Sequence, residues 1–286
     1  MNTQFWLIQA FNGISYGALL FLVGSGLSLI FGVMRIVNLS HGSYFLLGGY
    51  VALSVIWTTG SWALSLPIAA LSIAAVGLLM ERIFLRPLGF DPLRQVLLTV
   101  GFAFLFQQAA LDIWSGNNFD INPPQALTKT VVVGGLYLPL YRMFMIATAA
   151  AIGIALWLIM EKTRMGAAVR ATVDDAQMAR GVGIDTSRIS MFIFALGAFL
   201  AALGGVIGGA FLGIYPGLDF EMLPIAFAVV IIGGMGSLGG AAIGALLVGL
   251  ADNFGKALFP EVSYFTLYAP MALILAVKPT GLFGRE

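Results

Sequence analysis

The chain has 286 residues, of which 60% are hydrophobic and only 9% charged, and its mean hydropathy is +0.98. An average soluble domain carries roughly 25% charged residues, so too little polar surface is present to coat a soluble globule, and disorder, which needs low hydrophobicity and high charge, is excluded with it. A net charge of +1 leaves no basic footprint for nucleic acid, and the absence of cysteine removes disulfides, thiolate nucleophiles and cysteine metal sites together.

The apolar residues run in long unbroken stretches rather than in short alternating segments, which excludes an outer-membrane barrel. The sequence predicts an all-α protein: a polytopic membrane bundle forming a single transmembrane domain over residues 1–286. The first 34 residues hold no charged side chain, so the basic region of a signal peptide is missing and the first span is expected to stay in the protein. In chain order the apolar stretches are 7–33, 43–57, 62–80, 96–114, 141–160 and 189–215, followed by three shorter ones at 223–234, 240–251 and 265–277. About 20 residues are needed to cross the hydrocarbon core. The pieces flanking 233–240 are too short alone. They become spans if extended into their polar flanks, or half-helices joined by a glycine break. The reading is about eight crossings, with glycine-rich short or broken helices among them.

Lys and Arg set the orientation. Arg82, Arg86 and Arg94, then Lys162, Arg164, Arg170, Arg180 and Arg188, mark the cytoplasmic side. Alternation adds Arg35, Lys278 and Arg285, which makes 11 of the 14 basic residues. The N-terminus is then expected outside and the C-terminus in the cytoplasm. Segment 116–140 becomes an external loop, and 161–188 the largest cytoplasmic segment.

The spans hold essentially no ionisable groups of the kind that ion-driven pumps use; Asp112 reads as an interfacial residue near a span end. The single histidine, His41, cannot build a metal site alone. No pair suited to intramembrane proteolysis and no G-x-x-x-x-G-K-[ST] loop is present, so no catalytic residue, metal or cofactor is expected. If the chain transports, its energy comes from a partner.

Four stretches carry more information. GLSLIFGVMRIVNLSHGSYFLLGGYV (26–51) is a glycine-rich helix, a polar interruption at Asn38, Ser40 and His41, and a second glycine-rich helix. It is either backbone lining a cavity at membrane depth or an ordinary capped turn. ERIFLRPLGFDPLRQVLLTVG (81–101) reads as a basic loop leading into a span. RATVDDAQMARGVGIDTSRISMFIFALGAFLAALGG (170–205) begins with a short polar helix over 171–180, ending where Gly181-Val182-Gly183 can supply a left-handed cap. That helix suits either docking into a groove on a cytoplasmic partner or plain solvation. GGMGSLGGAAIGALLVG (233–249) allows tight helix packing or a helix break.

Together these stretches, with the final KPTGLFG, closely resemble the permease subunits of branched-chain amino acid ABC transporters, the LivH type. The resemblance covers nearly the whole chain. It implies a bacterial inner-membrane importer in which this subunit pairs with a second, LivM-type permease and two cytoplasmic ATP-binding subunits, served by a periplasmic binding protein. The expected substrates are leucine, isoleucine, valine or related amino acids; close relatives import urea, short amides or aromatic acids. A secondary transporter of neutral solutes driven by an ion gradient, and a passive pore, are the rivals from other classes. The resemblance places ATPase coupling at Arg170, Asp174, Asp175, Met178, Ala179, Gly183 and Arg188. The pathway or helix breaks fall at Asn38, Ser40, His41 and Gly42, and at Gly233, Gly234, Gly236, Gly239 and Gly240. Two departures stand out: Arg180-Gly181 replaces the small or apolar pair that often follows Met-Ala, and 116–140 matches no family pattern.

Overall fold

The structure, a computed structural model, describes residues 3–89 and 91–284. Its helices in chain order are α1 (Thr3–Met34), α2 (His41–Thr59), α3 (Trp62–Met80), α4 (Pro92–Trp114), α5 (Leu140–Lys162), α6 (Arg164–Asp174), α7 (Ala176–Gly181), α8 (Thr186–Leu212), α9 (Leu218–Gly233), α10 (Leu238–Leu258) and α11 (Ser263–Val277). A small antiparallel hairpin, β1 (Thr130–Val133) and β2 (Leu136–Pro139), lies between α4 and α5 and pairs Thr130 with Pro139 and Val133 with Leu136.

Local chemistry sets the helix starts. Ser61, Asp91, Asp185 and Ser237 each accept a hydrogen bond from a backbone N–H in the first turn of the following helix, which satisfies a donor that would otherwise lack an intrahelical partner. The expected 62–80 span is observed at those bounds. The two short pieces around 233–240 extend into their polar flanks: α9 has 16 residues and α10 has 21.

Six of the described helices are long and apolar enough to cross a membrane: α1, α3 with its continuation to Leu88, α4, α5, α8 and α10. With α2, α9 and α11 they form a multi-pass bundle. Helices α1 and α8 form its centre, each with 72% of its apolar window buried, against 17% for α4 and 22% for α5. The outer faces of α4 and α5 therefore present apolar side chains to lipid or to another membrane chain. Small residues bring α1 and α10 together: a Cβ on Gly13 would stand 2.9 Å from the Leu250 Cα, and one on Gly17 2.8 Å from the Ala245 carbonyl. In lipid, association relies on such close backbone packing.

The bundle has two distinct ends. At one, Gly32 near the end of α1 packs on Gly236, and the C-terminal segment docks on α9 through the Leu282 and Phe283 N–H groups, which donate to the Ile232 and Gly233 carbonyls. Met34, Arg86, Gln95, Thr172 and Arg180 meet at this same end. At the other, Phe119 pairs with Ile214, and the hairpin's Gly135 lies beside Gln4. The first helical residues and the C-terminal segment thus sit at opposite ends of the bundle. Arg285, expected among the basic residues of the first end, lies outside the described residues.

Two expectations are corrected. The polar helix expected over 171–180 is two helices, α6 and α7, because Asp175 is extended (φ −152°, ψ 102°) and caps α7 by accepting from the Gln177 and Met178 N–H groups. The interior is also not free of ionisable groups: Glu81, Asp219 and Asp252 are at most 4% exposed. All three lie outside the apolar stretches of the sequence but within packed helix ends. Asp112, by contrast, is exposed and accepts a hydrogen bond from Gln108, as an interfacial residue should.

Candidate functional site

The polar interruption at the end of α1 folds back into the bundle. Arg35 takes a left-handed conformation (φ +54°) and turns the chain after the last helical residue. His41 then opens α2 with its Nε2 3.0 Å from the Val23 carbonyl. Val23 precedes the end of α1 by eleven residues, about 16 Å of helix rise, so α2 starts well inside the bundle. Backbone of this kind is tolerated at such depth only when protein satisfies its polar groups.

Asn38, Ser40 and His41 are all completely buried. The Asn38 Oδ1 accepts from both the Ser40 N–H (3.1 Å) and the Ser40 hydroxyl (2.7 Å). The Leu39 N–H donates to the Thr99 hydroxyl, and the Tyr44 hydroxyl reaches the Met80 sulfur. Asn38 Nδ2 and His41 Nδ1 have no partner among the described residues. Gly42 is where α2 meets α9: a Cβ there would collide with the Asp219 carbonyl, and the Ser43 hydroxyl donates to the Asp219 carboxylate. The interruption is therefore a packed knot joining α1, α2, α4 and α9.

Replacing Asn38 with alanine removes the acceptor of two buried donors, and leaving a buried donor unpaired costs about 1–3 kcal/mol. The expected result is a lower thermal midpoint for the purified Asn38→Ala protein. An unchanged midpoint would show that the knot is not structural.

The residues expected from the family resemblance to serve ATPase coupling lie on α6, α7 and the start of α8. Arg170 donates to the Met160 carbonyl and lies 3.7 Å from Glu161, tying α6 to the end of α5. Asp174 and Asp175 are exposed at the junction, Met178 is 65% exposed, and Ala179 is buried beneath it. Gly183 has φ +90°; its N–H donates to Arg180, and the Ile184 N–H donates to Ala179. This pair of bonds is a Schellman cap, so the expected left-handed position is Gly183. Asp185 caps α8 by accepting from the Arg188 N–H, and its carboxylate also pairs with the Arg188 guanidinium. What emerges is a short two-helix projection with an exposed methionine at the end of the bundle that gathers the basic residues.

The glycine run is a close crossing of α9 and α10. A Cβ on Gly233 would collide with the Gly240 carbonyl, and one on Gly240 with the Gly233 carbonyl. Gly234 (φ +96°) packs against Gly284, and Gly236 (φ +82°) packs against Gly32. Gly239 differs: it is exposed and a Cβ there would meet nothing.

Several participants were not legible in the sequence. Ser43 and Asp219 are 176 positions apart, and Thr99 lies inside an otherwise apolar run. Glu81 begins a π-helical turn, Glu81–Leu85, that no periodicity announces.

Residues 9–275 match the family model described as the permease component of branched-chain amino acid transport systems. The chain is 32% identical to the high-affinity branched-chain amino acid transport system permease protein LivH of Salmonella typhimurium, covering 100% of this chain and 98% of the relative. It is 28% identical to BraD of Pseudomonas aeruginosa, covering 98% and 96%, and 27% identical to LivM of Escherichia coli, covering 91% and 67%. No solved structure matches.

Proposed function

The chain belongs to the family of permease components of branched-chain amino acid transport systems, and from this we propose that it forms half of the alternating-access pathway of an ATP-driven importer. The observation that carries the proposal is the α6–α7 projection. It stands at the end of the bundle where basic residues collect, on a chain with no nucleotide-binding loop of its own. By the rule that Lys and Arg favour the cytoplasmic side, this end faces the cytoplasm, the N-terminus lies outside, and the membrane is the bacterial inner membrane. An ATPase subunit grips α6–α7, and a second permease of the same family completes the pathway. A soluble binding protein delivers substrate to the opposite end, where 116–140 and the hairpin lie.

ATP binding would move the projection, and the crossings at the knot and at the glycine run would carry that motion as rigid helix shifts. The substrates are leucine, isoleucine and valine, the class named for the relatives. Selection belongs mainly to the binding protein.

Uptake of labelled leucine into vesicles holding the assembled complex should persist on ATP after proton and sodium gradients are collapsed. Loss of uptake with the gradients, ATP still present, would show an ion-driven carrier. Purification of the tagged chain from native membrane should bring down two ATPase copies and a second permease; recovery of the chain alone would refute the importer assignment.

A further inference from the structure

Helix α9 carries an exposed charge at membrane depth. Glu221 precedes the end of α9 at Gly233 by twelve residues, about 18 Å of rise, which is more than half of a hydrocarbon core about 30 Å thick. Its side chain is exposed, and the Tyr215 hydroxyl donates to its Oε2 at 2.7 Å. No basic side chain pairs with it among the described residues. A carboxylate facing lipid at this depth is costly, and ionisable groups within membranes are held in the bundle interior or against a water-filled path. Glu221 is not in the interior. The backbone beside it points the same way. Pro224 has no N–H to donate to the Phe220 carbonyl four residues back, and a backbone group without its helical donor needs water or protein at this depth.

The surroundings of Glu221 form one continuous face. Phe220, Pro224, Phe227 and Ile231 follow at helical spacing, so they share a side of α9, with Glu221 at its edge. Phe220 and Pro224 are exposed. Toward Gly233 the stripe borders an apolar cavity of about 300 Å³, walled by Phe227, Ile231 and Met235 on one side and by Phe31 and Val37 on the other. Near Glu221 the stripe continues onto α4. The Phe104 ring stands 5.6 Å from the Phe220 ring, and Gln108, one turn further along α4, is exposed. Helix α5 differs: between Met143 and Leu158 every exposed residue is apolar, which suits lipid.

We propose that the α4–α9 face lines the translocation path opposite the second permease, and that Glu221 is its cation-selecting residue. Glu221 meets the positively charged end of a passing solute, Tyr215 holds the carboxylate in place, and the apolar stripe and cavity take the uncharged part. This rests on the reading of the chain as half of such a path. Lipid packed on the same face would leave the Glu221 carboxylate and the Phe220 carbonyl unsolvated. A second permease across a water-filled gap leaves both solvated.

The chain has no cysteine, so single thiols can report which face is wet. Only the thiolate reacts, and an apolar setting suppresses its formation. Phe220→Cys on α9 and Ile154→Cys, at an exposed position on α5, are compared in lipid nanodiscs holding the assembled complex, which open both membrane sides to reagent. Two membrane-impermeant methanethiosulfonates are used, one bearing trimethylammonium and the other sulfonate. Phe220→Cys should react and Ile154→Cys should not. Relative to their rates with a free thiol in solution, the cationic reagent should be favoured at Phe220→Cys by about tenfold, the low end of what a charged cleft does to encounter rates. Adding Glu221→Gln, which keeps an acceptor for Tyr215, should remove most of that preference. Phe227→Cys serves in the same way if the Phe220 variant does not assemble. Equal reaction on α5, no reaction at the α9 thiol of an assembled complex, or a preference unchanged by Glu221→Gln would overturn the inference. These assays need no uptake. ATP-driven leucine uptake with a dry α9 face leaves the importer reading standing and moves the path elsewhere. A wet, cation-selecting α9 face with uptake that follows an ion gradient keeps the face and removes the importer.

Discussion

Replacing Gly240 with alanine is expected to destabilise the folded bundle and stop transport, while the same change at the adjacent Gly239 is expected to do neither. The two positions differ only in what surrounds them. A Cβ on Gly240 meets the Gly233 carbonyl and the Ser237 Cβ, and one on Gly239 meets nothing. The obstruction at Gly240 is largely backbone, so α9 and α10 must separate to admit a methyl group. That motion would strain the neighbouring contacts of Gly244 with the Val229 carbonyl and of Gly236 with Gly32. Forcing a methyl group into a packed contact typically costs about 1–3 kcal/mol, whereas an exposed substitution away from such contacts stays within about 0.5 kcal/mol. Thermal unfolding of the purified proteins, with binding-protein-dependent uptake in vesicles, measures both quantities. Equal behaviour of the two alanine variants would show that the α9–α10 crossing is looser than described.

A proline at Asp175 is expected to abolish transport while leaving the bundle inserted. Asp175 is not inside a helix, so the usual interruption of an i→i−4 ladder is not the reason. Its φ of −152° lies far from the proline value of about −65°. Its N–H donates to the Ala171 carbonyl, and its carboxylate caps α7 through two N–H groups. Proline removes all three bonds and changes the angle between α6 and α7, whereas Asp175→Ala removes only the cap, worth about 1 kcal/mol. The alanine variant should therefore keep substantial uptake, and the proline variant should lose both uptake and co-purifying ATPase. Wild-type uptake and ATPase recovery by Asp175→Pro would refute the coupling role proposed for α6–α7.

Composition and periodicity reveal the helical membrane class, most span boundaries and the uneven distribution of basic residues, because each depends on local hydrophobicity or on charge counted along the chain. The break near Asn38, Ser40 and His41 is legible for the same reason: three polar residues interrupt a long apolar run. The left-handed glycine after α7 is also legible, since only a helix end with Gly181-Val182-Gly183 admits that cap readily. The division of the polar helix at Asp175 is not. Aspartate is acceptable both inside a surface helix and as its cap, and the choice depends on how α6 docks against α5 through Arg170 and on where α8 must begin.

The sequence by itself determined that this chain fills a membrane with helices and which segments they occupy, since about 20 apolar residues and satisfied backbone hydrogen bonds are local requirements. Its family resemblance, too, was written in contiguous motifs. Only the tertiary structure decided that α2 begins deep in the bundle, that Gly233 and Gly240 touch while Gly239 faces outward, and that Glu81 and Arg86 share one cavity wall. These arrangements join residues distant in the chain, or turn on a single π-helical turn. Which polar groups are buried, paired or left open is fixed by what packs against them from elsewhere in the bundle, and no local pattern encodes that.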